Sequence, residues 1–160
     1  MIRNIEKLIP NLNLTERDFT AHNTAMWLLG SVSRSPVVSP LAFEADMVVS
    51  PSTGIMLTAL QKMKQKPLPG TKGKPALQER LEKVSFKYEK LFVLVGENRA
   101  DKTSNGLDQT DCIALAEFVG FASGLDTNIL VQFVGGGEVT LSKWIVSITF
   151  SMLRQIRSFF

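Results

Sequence analysis

Leu91-Phe92-Val93-Leu94-Val95 is an unbroken apolar run, with Glu89 and Lys90 before it and Glu97 just after it. A run this short, carrying β-branched residues and bounded by charge, reads as a central strand covered on both faces. On its N-terminal side, Leu77, Leu81, Val84 and Tyr88 fall at helical spacing and make one apolar stripe. Glu79 and Lys83 supply an i,i+4 pair on the outer side of that helix. On its C-terminal side, Asn98 to Gly106 is a polar loop. A helix follows, capped by Thr110 or Asp111 and running to Ser123, with Gly124 as its C-cap. Ile129 to Phe133 (ILVQF) is the next strand. Two buried strands joined by a helix are expected to lie parallel, with a right-handed crossover.

Farther out, the two halves of the chain differ. All 7 prolines fall at or before Pro75, so the first half reads as loop-rich and extended. Leu12 and Leu14 suit a short strand, and Thr20 to Gly30 a helix. Ser31 to Pro40 is a Ser/Pro connection. Leu41 to Ser50 is a strand, and Pro51 to Gly54 a turn. Ile55 to Leu60 reads as a strand leading into a helix that continues to Lys66, and Pro67 to Pro75 as irregular loop. Gly135-Gly136-Gly137 is a turn, after which Thr140 caps a last helix from Leu141 to about Phe159. The triplet lacks the residues of a phosphate-binding loop or a dinucleotide fingerprint, so a tight strand-to-helix turn is the better reading. The whole is one α/β domain spanning residues 1–160, with a central, largely parallel sheet and helices on both faces.

With 160 residues, 44% hydrophobic and 21% charged, the chain has material for a core and is not of disordered composition. Residues 1–8 lack the apolar centre of a signal peptide, and no apolar stretch is long enough to span a bilayer, so an intracellular, soluble protein is expected. One cysteine excludes an internal disulfide, and Cys112 reads as a small buried core residue. Cys112 and His22 together cannot make a four-ligand zinc site, and His22 reads as a capping or surface histidine. The net charge is +3, but its distribution says more: no acidic residue lies between Asp46 and Glu79, while Lys62, Lys64, Lys66, Lys72 and Lys74 do. That cluster is either a phosphate-attracting, DNA-binding patch or a solvated loop.

The last helix is apolar on more than one side. Leu141, Trp144, Ile145, Ile148, Met152 and Ile156 form one face, and Val146, Phe150, Leu153 and Phe160 populate another. A helix apolar nearly all round is buried or has a partner. A terminal helix of a domain this small is hard to cover completely. Trp144, Val146, Phe150, Leu153 and Phe160 are therefore the expected surface for another chain or a following domain.

The segment Phe43-Glu44-Ala45-Asp46-Met47-Val48-Val49-Ser50-Pro51, followed by Ile55-Met56-Leu57-Thr58, resembles the core of XPF/Mus-type structure-specific endonucleases. That family has a strand ending in Gly-Asp, a short turn, then Glu-Arg-Lys on the next strand. Asp46 stands at the aspartate, with Ala45 in place of the glycine. Met56, Leu57 and Thr58 stand at the glutamate, arginine and lysine, and Lys62 at a further acidic position. Leu14 to Asp18 is similar to the family's first strand and its acidic residue, and the segments from Leu77 onward follow the family's order. The resemblance implies an XPF-type, restriction-endonuclease-like domain whose site is degenerate, with Met56 and Leu57 facing it. Hard divalent cations need several oxygen ligands, so neither hydrolysis nor any metal or cofactor is expected. It further implies a nuclear pseudonuclease in DNA repair, recombination or chromatin. Such a chain resembles the non-catalytic partners of XPF- and Mus-type enzymes and the XPF-like subunit of meiotic crossover complexes, which binds branched DNA with a protein partner, and the crossover role is the one expected first. The alternatives are an active Mg²⁺-dependent nuclease using Glu16, Asp18, Asp46 and Glu97, and a scaffold that binds protein alone. Since XPF-like relatives carry helix-hairpin-helix repeats after this domain, the chain is also expected to be a piece of a longer protein.

Overall fold

A computed structural model describes residues 1–8, 24–25, 39–40, 44–65, 73–97 and 107–157. In chain order these form α1 (Ile2–Leu8), β1 (Thr24–Ala25), β2 (Ser39–Pro40), β3 (Met47–Ser50), β4 (Thr53–Ala59) and α2 (Leu60–Met63). Then come α3 (Ala76–Ser85), β5 (Lys90–Gly96), α4 (Gln109–Ser123), β6 (Asn128–Val134) and α5 (Gly137–Arg157). The main sheet has the order β3-β4-β5-β6. The apolar run at Leu91 is indeed a central strand: β5 pairs in parallel with β4 on one side and with β6 on the other. The sheet is mixed rather than wholly parallel, because β3 and β4 form an antiparallel hairpin closed at Pro51 and Ser52.

Period-two alternation divides the sheet's side chains between two cores. Met56, Leu91, Val93 and Val95 face α3 and α4, where they meet Leu81, Val84, Phe118 and Ala122. Ile55, Leu94 and Val134 face the other way, toward Ile5 of α1 and Ile145, Ile148 and Met152 of α5. Each fully buried aliphatic side chain contributes roughly 1.5–3 kcal/mol, and helices on both faces seal the sheet.

Glycine is required where the hairpin meets α3. A Cβ on Gly54 would lie 2.8 Å from the Cβ of Ala45 and 3.1 Å from the Tyr88 ring. At the other end of the sheet, the turn into α5 needs positive φ at Gly136 (89°) and Gly137 (75°), which glycine adopts without strain.

Several sequence expectations are corrected. Thr24 and Ala25 are extended and pair with Ser39 and Pro40, where a helix and a connection were expected. The strand expected from Leu41 is only Met47–Ser50 among the described residues, because Glu44 to Asp46 turn away to grip α3. α2 ends at Met63, with Lys64 as its cap, rather than at Lys66. The cap of α4 is Asp108, in a reciprocal box with Asp111. α5 begins at Gly137, and Thr140 lies inside its first turn, with Oγ1 donating to the Gly136 carbonyl. Cys112 is exposed, because it lies on the side of α4 turned away from the core. Helix α1 was not foreseen. Its Ile5 is buried against the sheet, but the segment is too short for periodicity to reveal it. The strand at Leu12 and Leu14, His22, Glu16, Asp18 and the loop at Asn98 to Gly106 lie outside the described residues.

Candidate functional site: the β3–β4 hairpin, the lysine groove and the outer helices

The hairpin brings Asp46 beside the stretch Met56-Leu57-Thr58, and the local geometry shows how each is used. The β3–β4 ladder ends at the pair Met47 and Ile55. Two residues farther along β4, the Leu57 N–H donates to Asp46 Oδ2 at 2.7 Å, so the carboxylate substitutes for a strand partner. The other oxygen, Oδ1, accepts from Arg80 of α3 at 2.9 Å. Glu44, two residues earlier, is buried. It accepts from the Tyr88 hydroxyl and pairs with Lys87 at 3.3 Å. Two carboxylates flanking Ala45 thus clamp the entry to β3 onto α3 and its end.

Met56 and Leu57 do not face one site, because neighbouring side chains on a strand point to opposite faces. Met56 is fully buried in the core beneath α3 and α4, and Leu57 packs against the core beneath α5. Thr58 is buried on the α4 side, and its Oγ1 has no hydrogen-bond partner among the described residues. Leaving a buried hydroxyl unpaired costs about 1–3 kcal/mol. Glu97 lies beyond the end of β5 and accepts from the Gly136 N–H at 3.3 Å, bracing the glycine turn. Leu57 is level with Leu94 in the ladder, so Glu97 stands three residues farther along. At roughly 3.3 Å per residue that is about 10 Å from the level of Asp46's bond. Among the described residues, no group of three or more His, Cys, Asp or Glu side chains is placed to hold a metal ion.

The lysines divide according to their partners. Lys64 donates to Thr110 Oγ1 at 2.8 Å and pairs with Asp111 and Asp108, which ties the end of α2 to the start of α4. The Asp108 carboxyl is held below its usual range, first by the Thr110 hydroxyl and then by the Asp111 N–H. Lys74 pairs with Glu82 at 2.7 Å and lies 5.6 Å from the centre of the Phe121 ring. Lys62 is exposed on α2, at the rim of an open groove of about 470 Å³. The groove is floored by Met63, Leu77 and Phe118 and edged by Gln78 and Glu117. Lys66 and Lys72 lie outside the described residues.

On α5, Trp144 (40%) and Phe150 (43%) are exposed, as a partner surface would require. Val146 is not free in the same way, because it packs on the core formed by Ile145, Ile148 and Met152. The Leu153 side chain and Phe160 lie outside what is described. A second apolar surface went unforeseen: α4 exposes Ile113 and Val119. The signal was present in Cys-Ile-Ala-Leu-Ala-Glu-Phe-Val-Gly-Phe-Ala, whose apolar residues surround the helix rather than forming a stripe. Among the described residues, no helix is long and apolar enough to cross a membrane.

The chain belongs to the family described as a domain of unknown function, DUF7102, whose model matches residues 1–157. No curated protein and no solved structure matches it.

Proposed function

We propose that this DUF7102 domain is a non-catalytic, XPF-nuclease-like interaction domain of the nucleus. It serves DNA repair or recombination, with a meiotic crossover complex as its specific setting. The observation that carries the reading is the use made of Asp46. The residue that resembles a nuclease aspartate is spent on the Leu57 N–H and Arg80. Its neighbour at the glutamate position, Met56, is core. A carboxylate engaged in this way stabilises the hairpin instead of offering open oxygens to a cation. The protein partner is met by the outer side of α5, at Trp144 and Phe150.

DNA contact falls to Lys62, with Lys64 and Lys74 held in internal pairs. Fluorescence anisotropy against forked, branched and linear DNA, with Mg²⁺ present and products resolved on gels, tests this. Salt-sensitive binding without cleavage, weakened by Lys62→Glu, is the expected result. Mg²⁺-dependent cleavage abolished by Asp46→Ala would overturn the reading in favour of an active nuclease. The exposed apolar side chains on both α4 and α5 favour a second reading, a scaffold that binds protein alone. Absence of binding to every DNA would select it.

A further inference from the structure

The two edges of the main sheet are built differently. β3 is short, and its register shifts between Val48 and Ser50, an irregularity that blunts an edge against pairing. β6 runs from Asn128 to Val134 in unbroken register with β5 and pairs with no other described strand. Its sequence, Asn-Ile-Leu-Val-Gln-Phe-Val, contains no charge and no proline, the usual protections of an exposed edge. Every other residue from Asn128 to Gln132 is exposed, and Leu130 is 46% exposed. Gln132 Nε2 donates to the Phe133 carbonyl at 2.8 Å, a local bond on a main-chain acceptor that a strand N–H can replace.

We propose that this edge pairs with the same edge of a second copy of the chain, antiparallel about a two-fold axis through Val131, joining two sheets into one. The strand fits itself. Around Val131, Ile129 stands opposite Phe133 of the second copy on the α4 face, and Leu130 opposite Gln132 on the α5 face. No charge meets a like charge, although the chain as a whole carries +3. Apolar and β-branched cross-strand pairs of this kind are favourable. A seven-residue edge is only about 23 Å long, and a single strand of that length buries less than the roughly 800 Å² per partner that a stable dimer buries. The helices that pack on β6 from its two faces, α4 and α5, adjoin the paired edge and supply the remainder, with Val119 an exposed apolar side chain of α4. The inference is independent of any nuclease ancestry.

Sedimentation equilibrium of the full chain across a concentration series tests it with two double variants. Leu130→Lys/Gln132→Lys sets lysines opposite each other across the axis, and the dimer dissociation constant should rise at least tenfold. Leu130→Lys/Gln132→Glu sets lysine opposite glutamate and should keep the dimer. Both positions are exposed, so neither change disturbs the core. A wild-type chain that stays monomeric throughout, or two variants that behave alike, overturns the proposal. Amide hydrogen exchange on the unmodified protein supplies a second reading. Protection over residues 128–134 should increase with protein concentration, and concentration-independent exchange there counts against the pairing.

Discussion

Asp46→Ala separates a structural carboxylate from a catalytic one. The change removes the acceptor of the Leu57 N–H and the partner of Arg80 together. A hydrogen bond to a charged acceptor is worth about 1.5–3 kcal/mol, and an ion pair as exposed as this one about 0.2–1 kcal/mol. Water reaches the site and replaces part of both, so the net loss should be about 2 kcal/mol. For a chain of this size that lowers the melting temperature by roughly 4–8 °C. Asp46→Asn keeps an oxygen for Leu57 and gives up the charge, and should lose about half as much. A double-mutant cycle with Arg80→Ala should return a coupling of roughly 0.2–1 kcal/mol. Urea unfolding and thermal melts followed by far-ultraviolet circular dichroism, with and without Mg²⁺, measure these. An unchanged midpoint in Asp46→Ala would refute the clamp. So would Mg²⁺ stabilising the wild type and not the variant, since the carboxylate would then be holding a cation.

Two further outcomes follow from neighbouring geometry. Gly54→Ala drives a methyl group to 2.8 Å from Ala45 and 3.1 Å from the Tyr88 ring, so it should destabilise by about 1–3 kcal/mol in the same unfolding assay. The Asp108 cap should make α4 acid-sensitive. Its folded pKa lies below the ordinary 3.8, so the stability it contributes is present above that value and is lost as pH falls through the lower, folded one. The stability difference between wild type and Asp108→Ala should therefore be flat near neutrality and shrink below about pH 4 in pH-dependent thermal melts.

The parts of the fold that the sequence made legible share one property: local pattern and tertiary demand agree. Leu91 to Val95 is apolar throughout because β5 is covered on both faces and flanked on both sides, so burial leaves no polar position. The Leu81 and Val84 stripe and the Glu79–Lys83 pair (2.6 Å) likewise follow from the helix period alone, whereas Tyr88, expected on the same stripe, is buried beyond the end of α3 at Ser85. What stayed hidden is set by long-range partners. Nothing local distinguishes a carboxylate that binds a cation from one that accepts Leu57 N–H and Arg80, eleven and thirty-four residues away. Cys112 sits among apolar neighbours in sequence, yet it faces outward, because α4 spends its core contacts on Phe118 and Ala122. Lys64 and Lys74 read as free cations until Asp111 and Glu82 are brought to them.

The same distinction bears on how the hairpin is held. In a metal-dependent nuclease, carboxylates brought close together repel until a cation neutralises them, so part of the site's order comes from the ion. Here Glu44 meets Lys87 and Tyr88, and Asp46 meets Arg80, so each carboxylate has a partner supplied by the chain itself. Met56 fills the interior with apolar volume at the position where the resemblance places a glutamate. Thr58 keeps a hydroxyl with no partner among the described residues where it places a lysine, a buried polar group that core packing does not require. Thr58→Val tests whether that hydroxyl contributes to stability. The two side chains are nearly the same shape, and replacing an unpaired buried hydroxyl with a methyl group removes a desolvation cost. The variant should therefore be at least as stable as the wild type in urea. A loss of more than about 1 kcal/mol would mean that the hydroxyl has a bonding partner in solution, with an ordered water as the first candidate.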